Sequence, residues 1–164
     1  FTSMSVWENL VAAGSNLEME SPWRALFSKS TGQQKAQEVS SMAMALIDRF
    51  GLSELIDDPL ASLSVADIRF VEIARQLMTS PKMVLLDEPA AGFGPDKLDH
   101  LREIIQWLRD EKDVTVLLIE HNLSFVLDIS DYVYVLASGT VISGGSPSEV
   151  AADPLVIENY IGVQ

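Results

Sequence analysis

The stretch Met83-Val84-Leu85-Leu86-Asp87-Glu88-Pro89 decides how the rest of the chain is read. Four consecutive apolar residues suit a short β-strand covered on both faces. Two acids and a proline then end it. In an open α/β sheet, ligands bind at the C-terminal ends of strands, so Asp87 and Glu88 arrive where chemistry is done. Strand alternation points the two carboxylates in different directions, which lets them take different roles. One can hold Mg²⁺, usually through water, while the other orients or deprotonates an attacking water. An adjacent acid pair alone is more often a solvated strand end. The apolar run before it and Pro89 after it turn the reading toward phosphate chemistry.

Downstream, the pattern continues as alternating strands and helices. Residues 95–110 read as an amphipathic helix with Leu98, Leu101, Ile104, Ile105 and Leu108 inward. Residues 114–119 read as a second buried strand, expected to lie beside 83–86. His121 follows it, which places an imidazole on the same rim as the two acids. There it can donate a hydrogen bond to a terminal phosphate or to the attacking water. Leu123 to Asp128 is a short helix. Residues 132–142 read as a hairpin around Ser138-Gly139. Ser146-Pro147-Ser148-Glu149 is a capping box with proline at the first helical position. A last short helix covers residues 155–160.

Upstream, the periodicity is helical. Ser5 and Glu8 fit a capping box ahead of Val6, Leu10 and Ala13. Residues 14–32 read as a loop, with Trp23 and Phe27 as apolar anchors. A helix over 33–50 carries Ala36, Val39, Ala43, Leu46, Ile47 and Phe50 on one stripe and stops at Gly51. Leu63-Ser64-Val65-Ala66-Asp67 opens another, with Ile68, Val71, Ala74 and Leu77 inward. A helix N-terminus with a Ser hydroxyl attracts anions. The plainer account of Ser64 is an ordinary N-cap, since Asp67 already complements that helix end. The pattern therefore divides into a helical part over 1–80 and an α/β part over 81–164, whose alternation calls for a mostly parallel sheet.

Composition narrows the function. Acids outnumber bases 24 to 11, a net charge of −13, so the chain is a poor partner for nucleic acid or an anionic membrane surface. There is no cysteine, which excludes disulfides and thiolate metal sites. No apolar run approaches the ~20 residues of a membrane span.

Several of these motifs together resemble one family. Leu63-Ser64, Val71-Glu-Ile-Ala-Arg75, Leu85-Leu-Asp-Glu-Pro-Ala-Ala-Gly92, Ile119-Glu-His121 and Asn159-Tyr-Ile-Gly162 look like an ATP-binding cassette (ABC) ATPase, close in flavour to the ATP-binding subunits of branched-chain amino-acid importers. The resemblance implies a P-loop NTPase core with a helical subdomain, and ATP and Mg²⁺ as cofactors of the full-length protein. It gives Asp87 the Walker B role of supporting Mg²⁺ through water. Glu88 becomes the catalytic glutamate and His121 the switch histidine that senses the γ-phosphate. Ser64, Ala66 and Asp67 fall in the signature that contacts nucleotide held by the opposite subunit, and residues 90–94 match the D-loop. The implied partners are an integral-membrane permease and a second ATPase subunit, identical or not, at the cytoplasmic face of the membrane.

The sequence also departs from the family. No Gly-x-x-x-x-Gly-Lys-[Ser/Thr] occurs, so the Walker A cradle is missing, and the Q-loop and adenine-stacking aromatic would precede Phe1. The expectation is a piece of a longer cassette, inactive alone, whose uncovered strands self-associate. Ala66 stands where the family has glycine, and its methyl obstructs close approach of phosphate. Gly94 stands where the D-loop carries Asp or Asn. These departures favour the competing reading, a degenerate interaction or regulatory module that kept the fold and lost catalysis. A soluble ABC ATPase of DNA repair or translation is a third class, disfavoured by the absence of coiled-coil insertions or a second cassette and by the acidic charge.

Overall fold

A computed structural model describes residues 1–15 and 29–161, and the side chains of 33–159 within the second stretch. Trp23 and Phe27 lie outside the described residues. The helices are α1 (Val6–Ser15), α2 (Lys29–Arg49), α3 (Val65–Leu77), α4 (Pro95–Asp110), α5 (Leu123–Ile129), α6 (Pro147–Ala152) and α7 (Pro154–Val156). The strands are β1 (Met83–Asp87), β2 (Thr115–Ile119), β3 (Val133–Ala137) and β4 (Thr140–Gly145). The described chain forms two compact units, Phe1–Leu85 with Ala90–Leu117, and Leu86–Pro89 with Leu118–Gln164.

In the first unit, α1 packs on α2 and α3. Its entry is fixed by the capping box: Glu8 N–H donates to Ser5 Oγ at 3.2 Å and Ser5 N–H to Glu8 Oε2 at 2.9 Å. Asn9 is fully buried, and its amide donates to the carbonyls of Phe1, Met4 and Ser5. A buried amide is tolerated because its donors are satisfied. The segment before α3 ties back to this start, with Val6 N–H donating to Asp58 O and Trp7 N–H to Ile56 O, each at 3.1 Å. Helix α2 begins four residues ahead of the expected position. Gly32 therefore lies inside the helix, where a glycine costs about 1 kcal/mol. Of its expected stripe, Ala43, Leu46, Ile47 and Phe50 are buried but Ala36 is exposed. Its end is a Schellman motif: Leu52 N–H donates to Ile47 O and Gly51 N–H to Asp48 O, with Gly51 at φ +65°.

Helix α3 buries Phe70, Val71, Ile73, Ala74 and Leu77, while Ile68 is half-buried. Phe70 is its principal anchor, meeting Phe50, Phe93 and His100 edge-on at centroid distances of 6.1, 5.3 and 5.2 Å. Helix α4 presents Leu101, Ile104, Ile105 and Leu108 inward.

Strand β1 pairs with β2. Thr115 N–H donates to Lys82 O at one end and Glu88 N–H to Ile119 O at the other, so the strands run parallel with α4 as their crossover. β1 is not covered on both faces. Val84 and Leu86 are buried, whereas Met83 and Leu85 are 48% and 64% exposed. β2, expected to be buried, is exposed at Thr115, Leu117 and Ile119 and only half-buried at Val116 and Leu118, because an apolar run cannot reveal which of its faces has a partner.

In the second unit, β3 and β4 pair antiparallel, Val133 opposite Gly145 and Ala137 opposite Thr140, with a bulge beside Val135/Leu136. Ser138 and Gly139 both have positive φ, +48° and +77°, as a type I′ turn demands. The hairpin's inner residues Val133 and Val135 pack with Val150 and Val156 against Leu123, Val126, Leu127 and Ile142. The capping box of α6 is complete, and the chain continues through α7 into a π-helical turn, Ile157–Ile161.

Candidate functional site

Two clusters hold the residues singled out by the sequence, one in each unit. In the second unit, β1 ends at Asp87, whose side chain is exposed. Glu88 follows at φ +44°, a conformation non-glycine residues adopt at a cost of about 1–3 kcal/mol. Its N–H donates to Ile119 O at 2.9 Å, so the last rung of the β1–β2 pairing holds the strained residue in place. His121 lies just past the end of β2, and its Nδ1 is 3.5 Å from Glu88 Oε1. The expected juxtaposition of an acid and an imidazole on one rim is therefore present. Both side chains are more than half exposed, open to an incoming ligand. Beyond His121, Asn122 caps α5 by accepting from Phe125 N–H at 3.2 Å, which pins the turn.

Residues missed by sequence reasoning complete this rim. Glu120 has a side chain only 1% exposed, and its Oε2 accepts from His121 N–H at 3.2 Å. Its position between Ile119 and His121 was the available signal. Burial of the carboxylate was not legible.

In the first unit, Ser64 is the N-cap of α3, accepting from Asp67 N–H at 3.2 Å. The Ser64 hydroxyl in turn donates to Asp67 Oδ2 at 2.5 Å. Lys97, from the first turn of α4, donates to Asp67 Oδ1 at 2.6 Å. Burial pushes the Asp67 carboxyl up, but the hydrogen bonds from Lys97 and Ser64 and the Lys97 charge outweigh it and hold it below the usual carboxylate range. Both Asp67 oxygens thus have donors, and the hydroxyl proton of Ser64 is already engaged. Ala66 is half-buried beside them. Lys97, thirty residues away, gave no sequence signal.

Among the described residues, no group of three or more His, Cys, Asp or Glu converges as a metal cage. Mg²⁺ does not require one. It is held by one or two carboxylates, with waters and substrate phosphates completing its shell. The exposed carboxylate of Asp87 fits that demand.

A strand ending in paired acids, a parallel neighbour ending in histidine, and a helical unit with a serine-capped helix define an ATP-binding cassette. The sequence profile described as ABC transporter matches residues 1–91, more than half of the chain, and the chain belongs to that family. Among its relatives is the high-affinity branched-chain amino acid transport ATP-binding protein LivG of Salmonella typhimurium, 36% identical over 162 residues, 99% of this chain and 64% of LivG. The probable branched-chain amino acid transport ATP-binding protein LivG of Methanocaldococcus jannaschii is 38% identical over 167 residues, 97% of this chain and 62% of the relative. A nucleotide-free ATP-binding cassette from an ABC transporter superposes with a TM-score of 0.74 at 36% identity, covering 98% of this chain and 64% of that one. The fold is therefore that of the P-loop NTPase cassette, and the chain spans less than two thirds of these relatives.

Proposed function

We propose that this chain is part of an ATP-binding subunit that hydrolyses Mg-ATP at a dimer interface and drives solute uptake, with branched-chain amino acids as the solute class. In this reading residues 1–80 are the helical subdomain and face the permease, and 81–164 are the C-terminal half of the ATPase core. The subunit works at the cytoplasmic face of the membrane against a permease and a second ATPase subunit.

The observation that carries the reading is Glu88 facing His121 at the ends of adjacent parallel strands. Bound Mg²⁺ would neutralise charge developing on the phosphoryl oxygens. Asp87 would orient that ion through water. Glu88 would accept a hydrogen bond from the attacking water and align it. His121, on the same rim, would contact the terminal phosphate. The relatives' names supply the solute class.

The test is Glu88→Gln in an N-terminally extended protein that carries a phosphate loop. Turnover is expected to fall by about 10²-fold or more while ATP binding persists, the signature of a lost general base. Unchanged turnover would leave the second reading, a non-catalytic module. One observation favours that alternative: the Ser64 hydroxyl that would meet phosphate already donates to Asp67, whose other oxygen accepts from Lys97.

A further inference from the structure

Ser64 is exposed, and its hydroxyl has one proton to give. That proton goes to Asp67 Oδ2 at 2.5 Å. The other carboxylate oxygen, Oδ1, accepts from Lys97 Nζ at 2.6 Å. The contact joins the first turn of α3 to the first turn of α4 within the first unit. The Asp67 side chain is 14% exposed against 42% for Lys97, so the acid is the more enclosed partner. Its carboxyl stays below the usual carboxylate range, so the negative charge is in place at neutral pH.

Asp67 thus gives the Ser64 hydroxyl what a phosphate oxygen would give it, a charged acceptor at the N-terminal end of a helix. One proton cannot serve both. A phosphate arriving at Ser64 would also meet the like charge of the carboxylate. We propose that Asp67 is an autoinhibitory group, whose carboxylate occupies the Ser64 hydroxyl in place of a phosphate oxygen. This rests on the proposed function, which gives Ser64 a phosphate to meet. The contact opens by rotation alone. Turning the hydroxyl about its Cβ–Oγ bond moves the hydrogen bond from Asp67 to the phosphate, and the O–H bond stays intact. Lys97 remains paired with Asp67 and offsets part of the repulsion. The site is then closed, where the non-catalytic reading has it lost.

The experiment titrates inorganic phosphate into the 164-residue chain at constant ionic strength. Broadening of the ³¹P signal gives the affinity, and amide shifts at Val65 and Ala66 locate the site. Asp67→Ala frees the hydroxyl and removes the like charge, and should bind phosphate about tenfold more tightly than the unaltered chain, the scale of one charge-assisted hydrogen bond. Adding Ser64→Gly, which keeps an acceptable helix cap without a hydroxyl, should abolish the gain. Equal affinity in Asp67→Ala and the unaltered chain would overturn the proposal. So would a gain that survives Ser64→Gly, since Lys97 alone would then take the phosphate. Should the alanine variant lose its amide dispersion, Asp67→Asn decides: it keeps the shape and loses the charge, and no gain over the unaltered chain counts against the proposal. Glu88→Gln in the extended protein reads hydrolysis and does not touch this contact. Unchanged turnover there removes the proposed function and leaves the phosphate gain standing, whereas lowered turnover with no phosphate gain removes the autoinhibitory contact alone.

Discussion

Asp67 illustrates how much a single residue's surroundings change its meaning. In sequence it is an acid in the first turn of a helix, three residues after a serine, and that local pairing was legible because capping acts over i to i+3. The same holds for Ser5 with Glu8 and Ser146 with Glu149, both found complete. Lys97, which makes the Asp67 oxygens fully satisfied, was not legible, since a contact across thirty residues depends on how α3 meets α4. The buried state of Glu120 was hidden for the same reason. The clamp has a pH consequence. Asp67 titrates below its ordinary value in the folded state, so its contribution to stability is present above that value and is lost as pH falls through the lower, folded one. Lys97→Met should therefore lower stability at neutral pH by about 1 kcal/mol or less, since Lys97 is partly exposed. The gap between variant and parent should narrow as pH falls below the ordinary carboxylate value and close once it passes the lower, folded one, where the carboxyl is protonated in both. Urea melts across that range, followed by circular dichroism, measure it. A gap that persists at acid pH would show that Lys97 acts by packing on the Phe70 ring, 5.3 Å away, and not by charge.

At the scale of elements, turn chemistry was the most legible feature. Ser138-Gly139 between two alternating runs specified a hairpin, and Gly51 after an apolar stripe specified a helix end. Both depend on backbone geometry that few residues accept, so the residue type carries the information. The start of α2 and the open face of β1 were not legible, because each depends on what else packs there. The hairpin turn is also improvable. Ser138 occupies a left-handed position that asparagine tolerates better than serine. Ser138→Asn should stabilise the chain by roughly 0.5 kcal/mol, visible as a raised urea midpoint with an unchanged slope. Gly139→Ala should do the opposite. No atom lies within 4 Å of the added methyl, so any loss there would come from backbone strain alone.

At the scale of the whole chain, each compact unit leaves apolar side chains in solvent. Met83, Leu85 and Leu117 of the first unit are 48–64% exposed, and in the second Ile119, Tyr132, Tyr134, Leu136 and Val141 are 54–66% exposed. The exposed rings of Tyr132 and Tyr134 meet at a tilt of 52° with centroids 4.9 Å apart. Scattered apolar residues are normal on a protein surface, but alternation along a strand is not scatter: it gives β1 a second face fit for burial. Parallel strands in an α/β fold occur almost only with both faces covered, and among the described residues one face of β1 is left exposed. The chain alone should therefore associate with itself despite a net charge of −13, whose repulsion is screened at physiological salt. Light scattering at micromolar concentration should give a mass above that of one chain, and the mass should rise with salt as the repulsion weakens. Leu85→Lys places a charge in the middle of the exposed row of β1 and should return the chain to a monomer, because burying an unpaired ammonium costs more than the leucine gains. A concentration-independent monomer in the unaltered chain would mean that the exposed row is too short or too well hydrated to drive association. A dimer that survives Leu85→Lys would place the contact elsewhere, with the exposed tyrosine face of the hairpin as the next surface to alter.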